Sequence, residues 1–157
     1  MTKRQQLFDA VVARFAQILT SNTYVNQARA TVNYATNIGQ NVYEWQLTAI
    51  EKESLPCVIL RDEIEQAEID NELSGSYTRK LEITAEAVLA EASATAAQAR
   101  EALGDIIAAI REDQRWGNLA VRSLPVSDEI IVDDASDRIG GARLKFIIVY
   151  NREPWGA

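Results

Sequence analysis

The densest chemistry in this sequence is a run of carboxylates. Asp62, Glu63, Glu65, Glu68, Asp70 and Glu72 crowd residues 62–76, DEIEQAEIDNELSGS, with no basic side chain before Gly75. Two carboxylates can carry acid–base hydrolysis when they are held at a set separation across a bond, but nothing in this spacing marks a buried, mutually placed pair. A second acidic group, Asp133, Asp134 and Asp137, invites comparison with a calcium loop. Arg138 and Ile139 stand where such a loop needs further oxygen ligands and a glycine, so a solvated turn is the expectation there.

The rest of the catalytic repertoire is missing. The chain has no histidine, which removes the commonest general base and metal ligand. Its single cysteine, Cys57, lies in LPCVIL and reads as a small apolar core residue, unable to form an internal disulfide or a zinc site. No GxGxxG, GxxxxGK[ST] or GxSxG occurs, and Gly140-Gly141 reads as a turn before the last strand. The net charge of −7 argues against a general nucleic-acid binder, because phosphate neutralisation needs clustered Lys and Arg. That charge is uneven: residues 1–56 carry +1 and residues 57–157 carry −8. No stretch approaches the roughly 20 apolar residues that span a bilayer, and the start MTKRQQ lacks the apolar centre of a secretory signal. A soluble protein without membrane contact is expected.

The elements that must position these groups follow from hydrophobic period. The central one runs from Thr95 to Gln114. Ala96, Ala99, Leu103, Ile106, Ile107 and Ile110 fall on one helical stripe, and Gln98, Glu101, Asp105 and Glu112 on the opposite, acidic face. Thr95 and Gln98 are spaced as a capping box, and Gly117 is placed to stop the helix in a left-handed turn. Gly104 within it suggests close backbone packing. Leu7, Val11, Phe15 and Ile18, with Phe8 and Leu19, predict a first helix over residues 3–20, with Thr2 and Gln5 as its capping pair. Residues 21–40 are rich in Asn, Thr and Ser and predict an irregular connection with one short strand or turn of helix.

Strands show a period of two. Tyr43, Trp45 and Leu47 point inward from a strand beginning at Val42, and Pro56 opens a more central strand, Cys57–Leu60. The acidic residues 62–76 then read as a long exposed connection. Leu81, Ile83, Ala85, Ala87 and Leu89 line one face of the clearest strand. Leu119–Val121 and Glu129–Val132 read as short strands separated by Pro125, Asp133–Gly141 as a turn, and Ala142–Tyr150 as the last strand, with Leu144, Phe146, Ile148 and Tyr150 inward. Consecutive strands with two interspersed helices predict a single α+β domain, a mainly antiparallel sheet with both helices on one face. Residues 151–157, NREPWGA, form an exposed tail whose Trp155 either folds back or anchors a partner.

Taken in order, the first helix, the Val42-Tyr43-Glu44-Trp45 strand, Leu55-Pro56 entering an apolar strand, Arg79-Lys80-Leu81-Glu82-Ile83, the central helix, Asp113-x-x-Trp116-Gly117-x-Leu119-Ala120 and the terminal ARLKFIIVY resemble the tail terminator (minor tail, or tail completion) proteins of long-tailed bacteriophages. The resemblance covers about residues 3–20 and 42–150. It implies a virion protein without catalytic activity, metal or cofactor, assembled in the host cytoplasm at the head-proximal end of the tail. Copies of the chain would form a ring, usually a hexamer, that caps the tail tube protein, ends its polymerisation and offers its other surface to a head-neck connector protein. DNA would only pass through the lumen, and the acidic segment or the acidic helix face would line that lumen or the tube-docking side. A neck or head-completion protein, or a non-viral binding domain, is the alternative.

Overall fold

The computed structural model describes residues 1–45, 50–71, 76–90, 94–133 and 139–152, with the side chains of 68–71, 76, 77, 133 and 139 excepted. Leu47, Glu72 and residues 153–157 with Trp155 lie outside these residues, whereas Asn151 and Arg152, expected in the exposed tail, complete the last strand by pairing with Thr78 and Tyr77. The chain opens with helix α1, Lys3–Phe15, capped by the Thr2 hydroxyl, which accepts from the Gln5 N–H at 3.0 Å. The helix stops short of residue 20 because its end tightens: Gln17 N–H bonds Arg14 O and Ile18 N–H bonds Phe15 O. Ile18 still enters the core, fully buried, through this tighter turn.

Residues 21–40 hold more order than their composition predicts. Strands β1, Thr23–Val25, and β2, Thr31–Asn33, form a small antiparallel hairpin, followed by a 3-10 turn over Ile38–Gln40. A side chain on Gly39 would run into the Phe15 carbonyl, so the absence of a Cβ there lets this turn dock on the end of α1.

The main sheet consists of β3, Val42–Glu44; β4, Cys57–Asn71; β5, Ser76–Val88; β6, Arg122–Asp133; and β7, Ile139–Arg152, with helix α2, Ala96–Glu112, between β5 and β6. Strand order is β3-β4-β5-β7-β6, antiparallel except for the parallel β3–β4 pair. This is an α+β domain. Both helices cover the face formed by Leu81, Ile83, Leu144, Phe146 and Ile148, where the Phe15 ring stacks 6.4 Å from that of Phe146.

Several sequence expectations are corrected. The acidic residues from Asp62 to Asp70 are not an exposed connection but the second half of β4, continuous in pairing with β5 apart from bulges at Arg61/Ile64 and Glu68/Asn71. Mutual repulsion does not melt this strand, because bases of neighbouring elements take up the charge: Arg4 of α1 bonds Asp62, and Arg152 of β7 lies 3.9 Å from Glu65. Leu119–Val121 is not a strand; it belongs to a turn, and β6 runs unbroken from Arg122 with a bulge absorbing Pro125. Gly140 and Gly141 are strand residues of β7, not a turn. A side chain on Gly141 would collide with the Ala87 carbonyl of β5, so strand pairing there needs glycine.

Helix α2 is rotated from the predicted stripe. Ala99, Ala102, Asp105, Ile106, Ala109 and Ile110 are buried, while Ile107 is exposed. Gly104 does not mark close packing: it is exposed, and an added Cβ would meet nothing within 4 Å. The helix ends at Glu112, before a left-handed run at Trp116, Gly117 and Asn118.

Candidate assembly surface

The two edges of the sheet are unlike, and each is built by a local device. At one edge β3 is only three residues long, so among the described residues β4 is paired on one side alone from Arg61 to Asn71. Trp45 ends β3 with a left-handed backbone, φ 54°, a conformation that bulky side chains seldom adopt. The alternation predicted to turn Trp45 inward therefore breaks. Its N–H still donates to Leu60 O at 3.0 Å, but its indole stays 42% exposed and donates from Nε1 to Asp62 Oδ1 at 2.7 Å. Asp62 is itself fixed, since Arg4 Nε donates to its other oxygen at 2.9 Å and the Arg4 guanidinium also donates to its backbone carbonyl. Glu44, which precedes this tryptophan, and Glu63 and Ile64, which follow Asp62, are exposed.

The six acids thus do not act as one group. Asp62 orients Trp45. Glu65 accepts from the Tyr150 hydroxyl beside Arg152, and its side chain is 10% exposed. Glu63 points to solvent. Glu68 and Asp70 lie on the β4 backbone, with side chains outside the described residues, as is the whole of Glu72. The acidic face predicted for α2 also loses a member. Asp105 is 2% exposed and accepts from Ala35 N–H at 3.0 Å, Thr36 N–H at 2.8 Å and the Thr36 hydroxyl at 2.5 Å. Burial pushes its carboxyl above the usual range despite these bonds.

At the opposite edge, α2 and β6 leave an apolar groove of about 210 Å³ between them, lined by Ile107, Ile110, Leu124, Pro125, Leu144 and Phe146, with Arg111 at its rim. Arg115 and Arg122, each next in sequence to a lining residue, are exposed. Leu124 and Val126 on β6 are 40% and 50% exposed, too apolar for an ordinary edge. Pro125 and the bulge after it interrupt the row of backbone donors beside the groove, so this end of the edge suits side-chain docking better than strand addition. One signal for it existed in the sequence: Ile107, Arg111 and Gln114 recur at helical spacing, a mixed apolar and polar stripe distinct from the core stripe.

The Asp113–Ala120 segment has a structural role. The Asp113 carboxylate accepts from Arg115 N–H at 2.9 Å and Gly117 N–H at 2.7 Å, and these bonds hold it below the usual carboxylate range. The turn they fix buries Trp116, whose Nε1 donates to Ser123 Oγ at 2.8 Å and whose ring lies under the Arg14 guanidinium at 4.5 Å. Arg14 also borders a polar hollow of about 440 Å³ with Tyr34, Glu112 and Asp113. Its guanidinium is spent on the carbonyls of Ala109 and Asp113, and the Tyr34 phenol is pushed up to about 12 by burial and then by Glu112. The Tyr34 phenol is therefore not set for proton transfer near neutrality. Cys57 is fully buried and its thiol is pushed up to about 11, first by desolvation, which keeps it from acting as a thiolate. Among the described residues no three His, Cys, Asp or Glu side chains are grouped to hold a metal, and no helix is long and apolar enough to cross a membrane.

No family model matches the chain, and no curated protein matches it.

Proposed function

We propose that this chain is a structural subunit of a phage tail, a tail terminator whose copies form a ring on the end of the tail tube, stop its growth and present a surface for head joining. The observation that carries the reading is the unlike pair of sheet edges, one with exposed acids and a held-out tryptophan and the other with an apolar groove lined in part by Arg111. Copies set side by side with unlike edges join head to tail, and such heterologous contacts close into rings when the rotation per copy allows it. The order of sequence elements from the first helix to ARLKFIIVY supports the same reading. The ring's partners would be the tube protein on one side and the neck connector on the other, with DNA passing through the hole. The exposed Glu101 and Glu112 of α2, the latter also accepting from Val25 N–H at 3.3 Å, would supply that hole's negative wall.

Negative-stain electron microscopy tests the proposal. The protein at high micromolar concentration, or mixed with tail tubes, should give rings with a central hole or tubes capped at one end. A strict monomer that binds no tube end under any of these conditions removes the reading.

A further inference from the structure

We infer that the joint between neighbouring copies is a peg and a hole: the Trp45 indole of one copy seats in the groove between α2 and β6 of the next. This inference rests on the ring reading and names its contact. The peg is already built. Its backbone sits in a left-handed conformation that costs free energy in an isolated chain, and its one polar atom is satisfied by Asp62, so the exposed ring requires no further polar partner when it is buried. Little side-chain freedom remains to be lost on docking, which is the condition under which an aromatic anchor contributes most.

The hole matches it in chemistry. Ile107, Ile110, Leu124 and Pro125 offer apolar walls, and Arg111 at the rim can stack on an indole face. Charge complements the fit, since the exposed Glu44 precedes the peg and the exposed Glu63 follows its Asp62 partner, while Arg111 lines the hole and the exposed Arg115 and Arg122 adjoin its lining residues in sequence. Asp62 adds nothing to this difference because Arg4 neutralises it. Peg and hole lie at opposite ends of a sheet ordered β3-β4-β5-β7-β6, so one copy cannot fill its own groove, and a second copy of the chain is the occupant that carries the matching piece.

The test is a cysteine pair. A Trp45→Cys, Leu124→Cys double variant, oxidised after assembly, should give a ladder of cross-linked species beyond the dimer, with buried Cys57 out of reach. Trp45→Ala should raise the concentration needed for assembly by about 30-fold or more while leaving the unfolding temperature of the subunit nearly unchanged. Ile107→Asp should do the same from the other side of the joint. Rings that persist in both single variants, with no ladder from the double one, overturn this joint and leave the ring reading standing. A ladder that stops at the dimer overturns the head-to-tail arrangement itself. A native protein that forms no ring at all removes the underlying reading.

Discussion

Asp105 shows most clearly how a single side chain is set by its surroundings. It sits on α2 yet serves the segment after β2, where its carboxylate accepts three hydrogen bonds from Ala35 and Thr36. Asp105→Ala leaves these donors buried without an acceptor, and should lower stability by about 3 kcal/mol in denaturant titration. The charge has its own effect. Because the folded carboxyl titrates above its unfolded value of about 3.9, the native state holds the proton more tightly. Stability from this group is then fully present below the unfolded value and declines as pH rises through the folded one. Asp105→Asn lacks that decline, so the stability of the Asn variant relative to the native chain should grow with pH from about 4 upward and then level off. A difference that stays flat from pH 3 to 7 would show that burial does not disfavour the charge.

At the scale of elements, two glycines separate propensity from packing. Gly104 lies in the interior of α2, exposed and with open space around it. Gly104→Ala should therefore stabilise the protein by about 0.5–1 kcal/mol, the ordinary helix preference. Gly141 lies where β7 meets β5, and a methyl group there runs into the Ala87 carbonyl. Gly141→Ala should cost about 3 kcal/mol, because backbone on both strands must part. Thermal unfolding of the two variants compares them directly, and equal shifts in one direction would contradict the packing described. The long β4–β5 hairpin illustrates the same competition. The charges of β4 argue for a loop locally, but pairing with β5 and the bases Arg4 and Arg152 outweigh that tendency.

For the whole molecule, charge is distributed rather than merely negative. The solvent face of the sheet is knit by a row in which Arg143 bridges Glu129 and Glu86, and Glu86 also meets Arg61, so that face is close to balanced. Beyond that row, the exposed Glu44 and Glu63 adjoin Trp45 and Asp62 in sequence at one edge, and Arg111 lines the groove at the other. Exposed charges interact over about 8 Å at physiological ionic strength, so an assembly joined by those edges should weaken as salt is added. Light scattering across a sodium chloride series should show the assembly midpoint moving to higher protein concentration. Assembly that strengthens monotonically with salt would point to an apolar contact alone.

Much of the architecture follows from the sequence by itself, because it depends on local period. The inward rows Leu81 to Leu89 and Leu144 to Tyr150, the caps Thr2 and Thr95, and the α+β class are set by alternation, helical spacing and hydroxyl placement. The orientation of α2 could not be read this way. Its apolar stripe is broad, and the fold turns the face that carries Asp105 inward onto Thr36, leaving Ile107 outside. Nor could the candidate joint. Trp45 leaves the predicted inward row through one left-handed residue stabilised by Asp62, far along the chain, and the groove exists only where α2 lies across β6 and β7. Local pattern determines which residues prefer burial, whereas contacts distant in sequence decide which of them remain at the surface.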